Sequence, residues 1–244
     1  MRHLHLKKLQ DASRTKTPIR MGKMNLIRFH HSQINNVWDK ILLMSFIFLT
    51  YSHIIIGNPD LGNLKEKLNL KIITKNEWGA KPVDVSKMKP HKIEKITIHH
   101  GGVVDDGKED SKKKTLGLQI FSQNDRKWAD VPYHYMIDLN GNILEGRDEG
   151  YAGDSNTPYD PTTHFLIEVM GNYMVQKLNE KQYQSMVNLC VYACLKYNIS
   201  PDTIKGHKDY AETQCPGDDI YNNYLKNGKL IDDVKKKLKE LKRL

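Results

Sequence analysis

Three potential metal ligands that lie far apart in the sequence constrain most strongly how this chain can fold. His99 closes the run Ile96-Thr97-Ile98, which is typical of a buried strand, whereas His207 and Cys215 lie more than 100 residues later in a loop with glycine and proline. Two imidazoles and one thiolate suit zinc, and three protein ligands leave a fourth tetrahedral position open, as in catalytic sites. A lone histidine at a strand end is more often a hydrogen-bonded core residue, so the prediction depends on the combination.

Buried strands alternate with helical segments along the middle of the chain. The predicted elements are a strand at 96–100, a helix at 116–127, a hairpin of 133–138 and 143–146 around Asn140-Gly141, a strand at 165–170, a helix at 179–197 with Asn179 as N-cap, and a short strand or turn at 202–204. Strands that alternate with helices favour an α/β fold. We therefore expect a single domain whose central mixed β-sheet is flanked by helices.

The net charge of +9 is concentrated at the two ends of the chain. Residues 1–40 hold nine lysines and arginines against two aspartates, and residues 226–244 hold eight against three acidic residues. The remaining middle is slightly acidic, and it shows no base-reading motif beside a basic face. Nucleic acid is therefore not an expected partner.

The three cysteines do not form the pattern of a disulfide scaffold. Cys190 and Cys194 lie in the apolar part of the predicted long helix, where we expect two small core side chains on one face. Cys215 differs because it stands in a loop beside Pro216 and Gly217.

An apolar run at residues 41–56 follows the basic N-terminal segment. It is short for a bilayer-spanning helix, which needs about 20 residues, and it suits a signal-peptide core or an uncleaved membrane anchor better than a buried core helix. Because basic residues tend to stay in the cytoplasm, the chain after Gly57 is expected outside it. The predicted organisation is a basic segment with a signal or anchor helix at 1–57, a linker or short helix at 58–70, a globular domain at 71–225 and an exposed basic helix at 226–244.

Five segments in a fixed order carry a resemblance to a known family. They are Glu77-Trp78-Gly79-Ala80, Ile98-His99-His100, Val131-Pro132-Tyr133-His134-Tyr135 followed by Asn140-Gly141, Leu166-Ile167-Glu168-Val169-Met170-Gly171, and Gly206-His207-Lys208-Asp209 through Thr213-Gln214-Cys215-Pro216-Gly217. Each segment alone is a weak signal. Together, residues 72–224 resemble the zinc-dependent N-acetylmuramoyl-L-alanine amidases (the type 2 amidase domain), a family that includes phage-type lysozyme amidases and animal peptidoglycan recognition proteins.

The resemblance implies that His99, His207 and Cys215 bind Zn²⁺ and that the chain hydrolyses the amide between N-acetylmuramic acid and L-alanine in peptidoglycan. Successive strand residues face opposite ways, so His100 should point away from the metal. Peptidoglycan or muropeptides are the implied partners, and we expect a monomer. Two alternatives remain open: a peptidoglycan-binding module without catalysis, and a structural zinc site with Asp209 as the nearest fourth ligand.

Tyr133, Glu168 and Thr213 are the catalytic residues that the resemblance implies. Tyr133 matches a tyrosine whose phenol contacts the bound water or the oxyanion in catalytic members, and Thr213 matches a position held by lysine or threonine. Glu168 lies within an apolar strand, where an unpaired carboxylate is expensive to bury. It matches the proton acceptor of related cytosolic anhydromuropeptide amidases. The alternative for Glu168 is a carboxylate that accepts backbone hydrogen bonds or orients a metal-bound histidine.

The chain departs from the family pattern at Tyr151. Many relatives carry a histidine there, in a Trp-His-Ala-Gly stretch, so we expect the exchange to change substrate binding or transition-state stabilisation rather than the metal site. We expect the acidic loop 105–110 and the segment 154–163 to border the binding groove and select the peptide stem. His134 should face away from Tyr133 and have a structural role.

Overall fold

The computed structural model describes residues 61–241 and contains one six-stranded sheet in that range. The strands stand in the order β1-β4-β3-β5-β2-β6. All neighbours are parallel except β3 and β4, which form the antiparallel hairpin. The strands are β1 Ile72–Ile73, β2 Lys95–His100, β3 Tyr135–Ile137, β4 Ile143–Glu145, β5 His164–Val169 and β6 Ile204–Gly206.

Helices flank the sheet, which confirms the predicted α/β class with a mixed sheet. Asn179 caps the longest helix by accepting a hydrogen bond from the Gln182 backbone, as predicted. The helix on the other face begins earlier than predicted, because Asp110 caps it through the Lys112 backbone N–H. The helices are α1 Leu61–Lys67, α2 Ser111–Asn124, α3 Glu180–Tyr197 and α4 Lys229–Leu241, and a short helix at Asp218–Ile220 runs into a π turn at Tyr221–Leu225.

The two faces of the sheet are buried by different elements. On one face, alternate strand residues such as Ile98 and Ile167 join a large hydrophobic cluster with side chains of α1, α3 and α4. On the other face, Met136 and Leu144 form a smaller cluster with Trp78, against which Leu116 of α2 packs. The smaller cluster covers only part of the second face, and polar side chains occupy the rest.

Two terminal segments pack into the main core more closely than predicted. The stretch 58–70, predicted as a linker or short helix, contains the short helix α1, and Leu64 and Leu68 are buried in the main core. The C-terminal helix, predicted as exposed, buries Leu230 and Val234 completely in the same core. Its apolar residues recur every three to four positions, so one stripe joins the main core, whereas its lysines are half-buried or exposed.

The predicted signal or anchor helix at 41–56, like the rest of residues 1–57, lies outside the described residues. Within residues 61–241, none of the helices is long and apolar enough to cross a bilayer.

Candidate metal centre

The parallel pairing of β2 and β5 places two buried polar side chains beside each other. His99 pairs with Glu168 in register, one residue beyond the pair Ile98 and Ile167. Because side chains alternate along a strand, His99 and Glu168 occupy the face opposite the main core. Both are almost fully buried, at 2% and 4% exposure.

The second ligand segment reaches the same place through β6. This strand pairs with β2 so that Gly206 lies beside Ile98, and a 3₁₀ turn at His207–Asp209 follows directly. A side chain at Gly206 would bring a Cβ to 3.0 Å from Pro216 Cδ, so glycine lets the loop close over the strand. The ring centroids of His99 and His207 are consequently 4.6 Å apart.

Cys215 completes a cluster of three potential ligands. One ligand atom from each of His99, His207 and Cys215 lies within 4.8 Å of the others, and all three residues are buried. Cys215 Sγ is 3.6 Å from His99 Nδ1. A tetrahedral zinc with Zn–N near 2.0 Å and Zn–S near 2.3 Å sets nitrogen and sulfur roughly 3.6 Å apart. The donor set and its spacing therefore fit a zinc ion.

Backbone groups hold the thiol of Cys215 at this place. The His100 backbone N–H donates to Sγ at 3.3 Å, which favours the thiolate. The Cys215 backbone N–H donates to Thr213 Oγ1 at 3.2 Å, and its carbonyl accepts from the Lys208 backbone. Thr213 thus lies next to the cluster and positions the cysteine.

Burial keeps the three ligands uncharged without a metal. Burial, and then the neighbouring His207, hold the pKa of His99 well below its usual value. Burial lowers the pKa of His207 to about 4 and raises the pKa of the Cys215 thiol to about 12. The imidazoles therefore offer free lone pairs at neutral pH, and a metal would have to displace the thiol proton.

Tyr133 lies against the ligand cluster. Its ring centroid is 5.1 Å from that of His99. Burial, and then the charges of Glu168 and Cys215, hold the pKa of the phenol well above its usual value. The hydroxyl of Tyr133 therefore stays protonated and can donate a hydrogen bond.

Glu168 carries a carboxylate oxygen that is buried without a partner. Oε2 has no hydrogen bond, unlike the great majority of buried polar atoms. A Cβ at Gly101 would approach Oε1 to 2.6 Å, so a side chain there would displace this carboxylate. Burial, and then Asp105, raise the pKa of Glu168 to about 8. Glu168 also lines a cavity of about 420 Å³ with Val104, Leu118 and Met170.

Three residues weighed in the sequence have other partners. His100 Nδ1 accepts from the Tyr173 backbone N–H, and His134 bonds the Leu166 N–H and the Tyr151 carbonyl. The Asp209 carboxylate accepts from the Gly206 N–H and the Tyr221 hydroxyl, so it is not a fourth ligand. Within residues 61–241, the only such group of histidine, cysteine and acidic side chains is the set of three.

Two site residues were not singled out in the sequence. Thr157 Oγ1 is 2.7 Å from His207 Nε2, and the Tyr159 hydroxyl is 3.3 Å from His99 Nε2. The segment 154–163 was expected to border a groove, but threonine and tyrosine in an irregular loop give no periodic or spacing signal. Their proximity to the ligands follows from tertiary structure alone.

Comparison with known families agrees with the fold and the ligand cluster. The profile of the Amidase_2 family, described as N-acetylmuramoyl-L-alanine amidase, matches residues 89–218. This range covers more than half of the chain and includes all three potential ligands. The chain belongs to this family.

Similar proteins include peptidoglycan recognition proteins of animals. Peptidoglycan recognition protein 1 of Mus musculus is 27% identical over 62% of this chain and 84% of its own length. Peptidoglycan-recognition protein SC2 of Drosophila melanogaster is 27% identical over 64% of this chain and 85% of its own length.

Solved structures of the same class share the fold. Wild-type Drosophila PGRP-LB matches with a TM-score of 0.56 and 23% identity over 63% of this chain and 91% of that chain. Human PGRP-IBETAC in complex with glycosamyl muramyl pentapeptide matches with a TM-score of 0.56 and 23% identity, over 63% of this chain and 94% of that chain. At this identity the likeness shows the fold alone.

Proposed function

We propose that this chain is a zinc-dependent amidase that hydrolyses the bond between N-acetylmuramic acid and L-alanine in peptidoglycan. The observation that carries the proposal is the buried convergence of His99, His207 and Cys215 beside the Tyr133 phenol. The family membership supports the same reaction. The human relative bound to a muramyl peptide supports a peptidoglycan fragment as ligand.

The three ligands would hold zinc through two neutral imidazoles and one thiolate. When bound, zinc in such a site activates a water molecule and polarises the amide carbonyl. Once the metal displaces the thiol proton, the ligand set supplies one negative charge, and the His100 N–H donates to the thiolate.

Tyr133 would stabilise the negative charge that develops on the carbonyl oxygen. Its raised pKa keeps the proton on the phenol, so the hydroxyl remains a hydrogen-bond donor throughout neutral pH. A donor aimed at a developing oxyanion typically contributes about 10²–10³-fold in rate. Thr213 is a second hydroxyl at the site, and its oxygen already accepts the Cys215 backbone N–H.

Glu168 would move the proton. Its Oε2 has no hydrogen-bond partner and is free to accept a proton from water or to return one to the leaving nitrogen. A carboxyl group with a pKa near 8 is well matched to proton exchange near neutral pH. The missing partner favours this role over a carboxylate satisfied by backbone donors.

The rival function is a module that binds peptidoglycan without cleaving it. It is favoured by Tyr151, which stands where many relatives carry a histidine near the substrate. Tyr151 is half-buried, and its carbonyl accepts from His134. The complete ligand set, together with Tyr133, supports catalysis.

We also propose that the chain acts as a monomer outside the cytoplasm. This location rests on the sequence of residues 1–57, whose basic segment and apolar run are typical of a signal peptide or membrane anchor.

Mass spectrometry of purified muropeptides incubated with the zinc-loaded chain tests the reaction. Release of free stem peptide, abolished by a chelator and restored by zinc, is the expected result. Binding without release would assign the chain to the recognition class, and Tyr151→His would then test whether that exchange removed the activity.

A further inference from the structure

One loop, residues 154–163, hydrogen-bonds the outer nitrogens of both imidazoles in the ligand cluster. Thr157 Oγ1 lies 2.7 Å from His207 Nε2, and the Tyr159 hydroxyl lies 3.3 Å from His99 Nε2. His99 turns its other nitrogen, Nδ1, toward Cys215. A histidine that binds metal through one nitrogen needs an acceptor for the N–H on the other.

Ser155 offers an acceptor for the proton of the Thr157 hydroxyl. Ser155 Oγ lies 2.8 Å from Thr157 Oγ1 and accepts the Thr157 backbone N–H at 3.1 Å. When the Thr157 proton is directed to Ser155, the Thr157 oxygen can present a lone pair to His207. His207 then carries its proton on Nε2 and keeps the Nδ1 lone pair free.

The loop is held at both ends by hydrogen bonds to other parts of the domain. The Arg147 side chain, only 3% exposed, donates to the Ala152 carbonyl and pairs with Asp154. A Cβ at Gly153 would come within 2.3 Å of Leu166, so the loop lies directly on the sheet. At the other end, the Thr163 carbonyl accepts from the Glu94 backbone.

Aromatic contacts fix Tyr159 over the two histidines. Its ring centroid is 4.8 Å from that of His207 and 6.4 Å from that of His99. On its far side it stacks on Tyr210 at 5.8 Å and meets His164 edge-on at 5.4 Å. The hydroxyl is thus held at His99 by packing on several sides.

We propose that Thr157 and Tyr159 are positioning residues of the metal centre, whose hydroxyl oxygens accept the Nε2–H groups of His207 and His99 and so hold both rings with Nδ1 toward the metal. This inference rests on the proposed zinc site and concerns residues that contact the two histidines rather than the metal. Loss of such an outer partner typically lowers metal affinity about 10–100-fold.

Zinc affinity of the full chain, measured by competition with a coloured chelator, tests the inference. Thr157→Val removes the hydroxyl at similar volume and should weaken zinc binding about 10–100-fold, whereas Thr157→Ser should restore it to within about threefold. Tyr159→Phe should weaken zinc binding about three- to tenfold, because the hydrogen bond between Tyr159 and His99 is longer than that between Thr157 and His207. Tyr210→Phe, which keeps the ring that stacks on Tyr159 and meets His164 edge-on, should bind like the parent.

Each other outcome overturns a defined part. A Thr157→Val variant that binds zinc like the parent, or a Thr157→Ser variant as weak as Thr157→Val, rules out the hydroxyl as the cause. A parent chain that binds no zinc overturns the metal site itself and this inference with it.

The histidine tautomer provides a test that needs no variant. Long-range ¹⁵N–¹H NMR of the metal-free parent should show His207 with its proton on Nε2. A proton on Nδ1 would overturn the arrangement, because Thr157 would then donate to His207 rather than accept from it.

Discussion

Alternate residues of the same two strands are buried on opposite faces of the sheet, and the two faces contain different chemistry. Ile98 and Ile167 belong to an apolar cluster with α3 and α4, which needs no polar partner. Their sequence neighbours His99 and Glu168 are equally buried on the other face, where Glu168 Oε2 has no hydrogen bond.

The difference shows which buried residues stabilise the fold and which lower its stability at the candidate site. Burial of apolar side chains stabilises the fold, whereas burial of an unpaired carboxyl group costs free energy. The strands β2 and β5 therefore alternate between two roles. Residues on one face stabilise the core, and their immediate neighbours on the other face form the candidate site.

Replacing one cysteine on each side of the sheet by serine should give the largest difference in bound zinc. Cys215→Ser should remove most bound zinc and nearly all hydrolysis, because an alcohol is a poor zinc ligand at neutral pH. Cys194→Ser, the control in the α3 core, should lower the unfolding temperature and leave the zinc stoichiometry unchanged. Metal analysis of both variants decides, and a fully zinc-loaded Cys215→Ser protein would refute the ligand assignment.

Removal of one phenolic hydroxyl on each face should give the next largest effect. Tyr133→Phe should retain zinc and lower kcat by about 10²–10³-fold, since a donor to the oxyanion is lost. Tyr135→Phe is the matched control, because the Tyr135 hydroxyl donates to Glu149 on the other face. Its kcat should equal that of the parent. A Tyr133→Phe variant with parental kcat would leave Glu168 as the only candidate for acid–base catalysis.

Truncation of an aliphatic residue should affect stability without affecting the site. Ile98→Ala, in the main core beneath α3 and α4, should lower the free energy of unfolding by about 2–5 kcal/mol, as large-to-small core changes do. The folded fraction should bind zinc with parental affinity, because its neighbour His99 faces the other way. Denaturant unfolding and chelator competition measure the two quantities, and a large loss of affinity would show that the faces are not independent.

A pH dependence of stability should arise on the polar face. The pKa of Glu168 is raised from 4.5 to about 8, so between these values the folded, metal-free chain holds a proton that the unfolded chain has released. As the pH rises through that window, the free energy of unfolding therefore falls by about 1.4 kcal/mol per pH unit. Glu168→Gln cannot titrate there and should remove this contribution.

Urea unfolding of both metal-free proteins between pH 5 and pH 8 measures the slope. The free energy of unfolding of Glu168→Gln, relative to that of the parent, should increase toward pH 8. Parallel curves would show that Glu168 is not a buried acid with a raised pKa.

Much of the fold and of the ligand cluster could be predicted from local sequence signals. The strand before His99, the hairpin around Asn140-Gly141 and the Asn179 cap each depend on a few adjacent residues, and each is present in the structure. The burial of α4 was missed because its lysines dominate the composition, although Leu230 and Val234 lie one helical turn apart on its core face.

The missed parts depend on tertiary structure. The strand order depends on pairing between segments that are distant in the sequence. The contacts of Thr157 and Tyr159 with the histidines form only when the loop 154–163 folds over the sheet. An Asp110 cap was equally hidden, because the acidic loop that contains it was expected to border a groove.

The parallel pairing of Ile98 with Gly206 has a consequence for the whole chain. It joins His99 to His207 and Cys215 across more than 100 residues, so a metal held there would act as a reversible cross-link that the unfolded chain lacks. Each tenfold rise in free metal above the dissociation constant would then add about 1.4 kcal/mol to the free energy of unfolding. The amount of folded protein would follow the zinc supply of its surroundings.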